Sequence, residues 1–269
     1  MNNNSNKLYV VGDIHSNANN ERKQLNTKNW PEQKELTKDD ILIQLRDFGD
    51  IWYHKEHKYY KQDRYWQEWW ASRNYTLLVV PGNHENWDII ESLPIETKFN
   101  AKVRVLNTEK GPIYLAITGE IYTINNFKIL TICGAKSTDA LYRTEGISWW
   151  RQETITQKDI DNTLDNLETY ETIDYIFSHT MPQSMIEQFI HYNENTKDKF
   201  KDPTAEFLEH LWNTIDIKYG IHCGHFHTNQ KHYRKTPFRN KLGKIVFSPD
   251  IDNNYVQCHY NKEPYLIED

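Results

Sequence analysis

Short apolar runs separated by longer polar stretches set the pattern of this chain. Leu8-Tyr9-Val10-Val11, Ile41-Leu42-Ile43-Gln44-Leu45 and Leu77-Leu78-Val79-Val80 are rich in branched side chains, and each runs into a segment containing Gly with Asp or Pro. Runs of that length without polar alternation, each stopped by a turn, predict buried strands. Between the second and third runs, Tyr59, Trp66, Trp69 and Trp70 recur at helical spacing. They predict a helix over residues 59–74 whose aromatic stripe packs on the sheet. Residues 16–40 are polar and Pro31 interrupts any long helix, so a loop with at most a short helix is expected there.

Beyond Trp87 the pattern changes to short strands at residues 113–117, 119–124 and 128–133, the last two joined at Asn125-Asn126. Consecutive strands after an alternating region predict a second sheet stacked on the first. A helix is expected over residues 156–170, capped by Thr156 and Asp159, with Ile160, Leu164 and Leu167 on one face. A strand at 173–177 leads into Ser178-His179-Thr180-Met181-Pro182, and the helix after it turns Met185, Ile186, Phe189 and Ile190 inward. Residues 193–202 read as an exposed connection. Pro203 then opens a helix that buries Phe207, Leu208, Leu211 and Trp212. A strand at 217–221 ends in His222-Cys223-Gly224-His225-Phe226-His227. Residues 231–244 hold six Lys or Arg and no acid, expected as a solvated hairpin loop, and residues 244–247 and 255–260 predict a terminal hairpin. No repeat or boundary is visible, so residues 1–269 are expected to form a single domain.

Composition narrows the class. Hydrophobic residues are only 38%, but 9 Trp, 17 Tyr and 10 Phe supply much apolar area per residue, so a packed core rather than disorder is expected. Cys133, Cys223 and Cys258 are odd in number and widely spaced, which fits a reducing, cytoplasmic compartment. The first seven residues lack an apolar signal segment, and no run approaches the roughly 18 apolar residues of a spanning helix. Neither secretion nor membrane anchoring is expected. A net charge of −6 argues against general binding to a nucleic acid backbone.

Chemistry collects where the apolar runs stop. Asp13 and His15 follow the first, Asp47 the second, Asn83 and His84 the third, and His179, His225 and His227 follow two later strands. Loops beyond the carboxyl ends of strands are where open α/β sheets keep their sites. Each residue alone has an ordinary reading: Gly-Asn opens many turns, and a lone His or Asp is commonly solvated. Together they form oxygen and imidazole donors at five strand ends. Acids converging on one point repel unless a cation sits between them.

Gly12-Asp13-Ile14-His15, Asp47, Gly82-Asn83-His84-Glu85, Ser178-His179 and Gly224-His225-Phe226-His227, in this order, resemble the five signature blocks of the calcineurin-like metallophosphoesterase superfamily. Gly134-Ala135-Lys136-Ser137 through Arg143-Thr144-Glu145-Gly146-Ile147-Ser148-Trp149-Trp150 is similar to a segment of its small bacterial and phage members. The resemblance implies an α/β fold, a four-layer α-β-β-α sandwich of two mixed β-sheets flanked by helices. It implies a binuclear centre in which Asp13, His15 and His227 bind one metal, Asn83, His179 and His225 bind the second, and Asp47 bridges both. His84 would act as general acid on the leaving oxygen or stabilise charge there. The implied reaction is hydrolysis of phosphate mono- or diesters by a metal-bridging hydroxide. Two cations about 4 Å apart can clamp a phosphoryl group and lower the pKa of a bridging water. Donors without thiolate suit Mn, Fe or Zn better than copper, with manganese the first expectation.

Two departures shape the substrate reading. Arg46 stands where the family commonly has Gly, and the Asp-Arg-Gly of phosphoprotein phosphatases is replaced by Phe48-Gly49-Asp50-Ile51-Trp52. A nucleotide or other small phosphoester is therefore expected ahead of a phosphoprotein. A non-catalytic scaffold of the same fold is the third reading, disfavoured because every ligand position and His84 are filled. Cations for the substrate phosphate would come from Arg46, Lys136 or Arg143. Arg143 precedes Trp149-Trp150, a pair able to wall a pocket and stack on a base, although core burial is the commoner fate of such a pair.

Overall fold

The structure, a computed structural model, describes residues 6–13, 25–45, 47–189, 201–233, 235–239, 245–249, 255–260 and 264–268, with backbone alone for 187–189, 235–239 and 245–249. Strands β1 (Leu8–Val11), β2 (Ile41–Gln44) and β3 (Thr76–Val79) lie parallel in register, Leu8 opposite Ile41 and Ile41 opposite Thr76. Helix α1 (Tyr60–Ala71) joins β2 to β3, and α2 (Trp87–Ser92) follows β3. Next come β4 (Ile95–Lys98), β5 (Ala101–Thr108), β6 (Gly111–Ala116), β7 (Ile121–Ile124) and β8 (Phe127–Ile132). Helix α3 (Gln157–Leu167), β9 (Thr172–Ser178), α4 (Gln183–Phe189), α5 (Pro203–Thr214) and β10 (Asp216–Cys223) continue the chain. It ends in β11 (Lys231–Tyr233), β12 (Lys235–Arg239), β13 (Ile245–Pro249), β14 (Tyr255–Cys258) and β15 (Tyr265–Ile267).

Two mixed sheets result, one of seven strands in the order β15-β1-β2-β3-β6-β5-β4 and one of six in the order β11-β14-β10-β9-β8-β7. Strand side chains alternate between faces, so the continuous apolar runs of β1 to β3 cover both. Val10, Ile43 and Leu78 point into the space between the sheets, where they meet Tyr122, Ile129, Tyr175 and Phe177 of the second sheet. Val11, Leu42 and Leu77 face outward, onto Trp70, Ala71 and Ile90 of the first helical layer. On the far side Leu130, Ile176 and Ile221 pack against Met185, Leu208 and Leu211. The layers therefore run helix, sheet, sheet, helix, as expected. Among the described residues no helix is long and apolar enough to cross a membrane.

Several expectations change. The strand expected at 113–117 is β6, and it pairs with β3 in the first sheet rather than joining the second. The terminal hairpin does not form: β13 pairs with β12, while β14 lies parallel to β10, where Val256 and Cys258 are buried in the outer core. The basic stretch at 231–244 contains β11 and β12 rather than one loop. Leu164 of α3 is exposed, although Ile160 and Leu167 pack inward as predicted. The aromatic stripe on α1 narrows to Trp70, fully buried, with Trp69 beside it; Tyr59 lies outside the helix and is exposed. Within residues 16–40 a 3-10 turn spans Pro31–Glu35, and 16–24 lie outside the described residues. So do Ile190, most of the connection at 193–202, and the side chain of Phe189.

Candidate metal and phosphate site

The carboxyl ends of the parallel strands meet across the two sheets. Backbone bonds carry the ladders past the strand ends: Leu45 N donates to Val11 O at 2.9 Å, and Val80 N to Gln44 O at 2.8 Å. Gly134 N donates to Pro81 O at 2.8 Å, and Gly224 N to His179 O at 3.0 Å. The loops that carry the predicted donors are thus fixed by the sheets rather than free to wander.

One donor group is wholly buried. His179 Nε2 lies 2.7 Å from Asn83 Oδ1 and 3.5 Å from Asp47 Oδ1, and all three residues are at most 2% exposed. The other ring nitrogen, Nδ1, is 3.4 Å from Leu45 O. Without an ion, Nε2–H donates to Asn83 Oδ1; in the tautomer that donates from Nδ1 to the Leu45 carbonyl, the Nε2 lone pair would face an ion shared with the two oxygens, the usual arrangement of a metal-ligating imidazole. Gly82 makes this approach possible, because a Cβ there would overlap Asp47 Oδ1 and come within 2.8 Å of His179 Cε1. Nitrogen and oxygen donors of this kind fit a Mn, Fe or Zn ion.

The second group is half open. Asp13 is buried, but His227, whose Nε2 lies 3.0 Å from Asp13 Oδ2, has a side chain 48% exposed. The His227 ring stacks on Tyr260 with centroids 4.8 Å apart. Tyr260 N donates to Asn229 Oδ1 at 2.9 Å, and Tyr260 pairs with Asp13 in an isolated bridge. His225 joins the two groups: its ring packs edge-on against His179 at 4.9 Å, and its N–H donates to Asp13 Oδ1 at 3.4 Å. His225 and His227 both take left-handed backbone angles, φ 68° and 50°. Such angles cost a non-glycine residue on the order of 1 kcal/mol or more and gather at functional sites. Among the described residues no three His, Cys, Asp or Glu side chains close on one point. Asn83 supplies an amide oxygen to the first group, and His15, expected in the second, lies outside the described residues, as does Arg46.

His84 sits at the rim, half-buried. Its N–H donates to Asp47 Oδ1 at 2.8 Å, and its ring nitrogens lie 2.8 and 3.0 Å from Arg143 Nη2. A guanidinium only donates, so this contact uses a lone pair of His84. Arg143 is held by Asp139, at 2.9 Å from Nε and 2.7 Å from Nη2. Lys136, by contrast, donates its ammonium to Lys201 O at 3.0 Å and lines a cavity of about 20 Å³ with Thr180, Asp202 and His225. Glu85 is buried and accepts from Phe48 N and from Gly49 N, which pins the turn after Asp47. Burial, and then the charge of Asp47, hold its carboxyl well above the usual range.

Sequence reasoning assigned no role to two supports of this site. Asn83 Nδ2 donates to Ser137 Oγ at 2.9 Å, and Ser137 donates from N and Oγ to Glu153 at 2.8 and 3.0 Å. Burial pushes the Glu153 carboxyl up to about 7. Nothing local marks Glu153 in the sequence; it arrives because Gly134, at φ 76°, lets the two ends of the 134–153 segment touch. Of the two fates open to Trp149-Trp150, a pocket wall or the commoner burial in the core, Trp150 takes the second and Trp149 is half-buried. Trp150 is 2% exposed, donates to Asp88 Oδ2 at 2.8 Å and packs edge-on with Trp52, while Trp149 donates to Glu153 at 2.7 Å. A separate cavity of about 670 Å³ lies between α2 and the start of α3. Its buried Glu120 and its Arg104 are engaged by Lys102 N and by the carbonyls of Glu91 and Leu93.

A family model, calcineurin-like phosphoesterase, matches residues 7–247, and the chain belongs to that family. The family is one of metal-dependent phosphoesterases, whose members generally bind two divalent metal ions. A search of the curated proteins found no match.

Proposed function

We propose that this chain is a binuclear metal-dependent phosphoesterase acting on phosphate mono- or diesters, with a nucleotide or other small phosphoester as substrate. The observation that carries the reading is the buried meeting of Asp47, Asn83 and His179, drawn from strand ends of both sheets, directly beside His84. In this reading Asn83, His179 and His225 hold one divalent ion, Asp13, His15 and His227 hold the other, and Asp47 serves both. Two such ions supply charge neutralisation at the phosphate and an activated water, and manganese, iron or zinc suits the donors.

The remaining work falls to the chain's own residues. His84 holds or delivers the proton needed by the leaving oxygen, and its backbone tie to Asp47 keeps it at the edge of the centre. Arg143 touches His84 and, anchored by Asp139, is among the described residues the candidate cation best placed to meet phosphate oxygens; Lys136 is engaged at Lys201. With Trp150 buried, support for a nucleotide over other small esters rests on Arg143. The odd count of three cysteines supports a cytoplasmic location.

The test is a panel of phosphate monoesters, diesters and nucleotides offered to protein loaded with manganese, iron or zinc. Hydrolysis that needs added metal and is lost with chelator is expected. Protein that binds two ions yet cleaves none of the panel would support the scaffold reading instead.

A further inference from the structure

Asn83 turns its side-chain oxygen, not its nitrogen, toward His179. An amide has no steric preference between these orientations, and the flipped form would aim two N–H donors at the site. In front, His179 Nε2 at 2.7 Å selects the oxygen only when that nitrogen carries a proton, which a nitrogen holding an ion does not; what distinguishes the orientations then is the group behind. Ser137 has one hydroxyl proton, and it is given to Glu153 Oε2 at 3.0 Å, which leaves only lone pairs for Asn83 Nδ2. Glu153 accepts on every side, its Oε1 taking Ser137 N at 2.8 Å and Trp149 Nε1 at 2.7 Å. With Glu153 only 1% exposed, water offers no substitute acceptor for that proton.

We propose that Glu153, acting through Ser137, is a positioning residue that fixes the orientation of the Asn83 amide and so makes it an oxygen donor to the divalent ion beside His179. This rests on the two-ion reading above. Glu153 touches neither ion nor substrate; it sets the direction of a two-step hydrogen-bond chain. A merely structural role, gluing the 134–153 segment shut, would affect stability but not metal affinity.

The chain's polarity gives a test that separates these roles. In Glu153→Gln, the side-chain oxygen must face Ser137 N and Trp149 Nε1, so the new N–H points at Ser137 Oγ. The serine proton is then driven onto Asn83, which accepts it by flipping. Manganese titrations by calorimetry at about pH 8, where a carboxyl titrating at about 7 is ionised, would compare wild type, Glu153→Gln, Ser137→Ala and Trp149→Phe. The first two variants should weaken one of two manganese sites roughly 10- to 100-fold, the usual effect of losing a partner behind a metal ligand. The other site should stay near wild type; the metal-free melting temperature falls wherever a buried partner is lost, so the loss confined to one manganese site is the deciding readout. Trp149→Phe removes a donor to Glu153 without reversing Ser137 and should leave both sites intact.

Two sites of wild-type affinity in both Glu153→Gln and Ser137→Ala would overturn the proposal while leaving the two-ion reading standing. So would an equal loss in Trp149→Phe, which would point to packing alone. If Glu153→Gln does not fold, Ser137→Ala decides. Wild-type protein that binds fewer than two manganese ions would overturn the two-ion reading and this inference together.

Discussion

The two donor groups of the site are built in different ways. Asp47, Asn83 and His179 are buried, their loops tied by ladder bonds that continue β2, β3 and β9, and Gly82 leaves room for them to touch. The Asp13 and His227 pair joins a buried carboxylate to a half-exposed imidazole, on a turn that holds His225 and His227 in left-handed backbone. The first group is preorganised by the core, so little ordering remains to be done when an ion binds. The left-handed turn carries one ligand of each proposed ion, His225 packed against buried His179 and His227 half-exposed, so the second group differs in resting on the Tyr260 stack and on neighbours that solvent can loosen. One tight ion and one more exchangeable ion are therefore expected, with Asp47 essential to both.

The largest effect is expected at Asp47. Asp47→Asn should remove activity against even an activated aryl phosphate, because one carboxylate serves two cations and also anchors the His84 backbone. Turnover within tenfold of wild type would contradict a carboxylate shared by two ions. Next comes His84→Ala, which should keep both ions and lose on the order of 10²- to 10⁴-fold in kcat, the usual worth of one positioned acid or base. The loss should shrink for good leaving groups; equal losses for nitrophenyl and alkyl esters would argue against proton donation.

Arg143→Ala should raise KM several-fold with metals intact, and more for a nucleotide than for a plain aryl phosphate. An unchanged KM for every substrate would remove Arg143 from substrate binding and confine it to its contact with His84. The smallest effect is expected at Tyr260. Tyr260→Ala removes a stack worth roughly 0.5–1.5 kcal/mol, so only the weaker manganese site should loosen, by about two- to tenfold. Loosening of the tighter site instead would invert the contrast drawn between the two groups.

Much of this was legible from residue order alone, for a physical reason. Strands β1 to β3 are buried on both faces, so their runs are continuous and their ends abrupt, and the donors stand at those ends. Strand β4 is exposed throughout and β5 alternates buried Ala101, Val103 and Val105 with polar positions, so neither carries that signal. Helix α2 spans six residues, too few for a period to show. The partner of β14 was not legible because a parallel slot beside β10 is a non-local choice, made by the burial of Val256 and Cys258. At the site, Ser137 and Glu153 are 16 residues apart and meet only through a loop closed at Gly134. Trp150 was ambiguous for the opposite reason: a tryptophan fits a pocket wall and a core equally well until its neighbours Trp52 and Asp88 are known.

The central claim, two ions sharing Asp47, is tested most directly by electron paramagnetic resonance during manganese titration of wild type and Asp47→Asn. Wild-type protein with two equivalents of manganese should show an exchange-coupled pair, preceded at one equivalent by an isolated ion at the buried group. In Asp47→Asn the coupled signal should vanish and both affinities should fall. A coupled pair that persists in Asp47→Asn at wild-type affinity, or a wild-type protein that never shows coupling, would contradict the account.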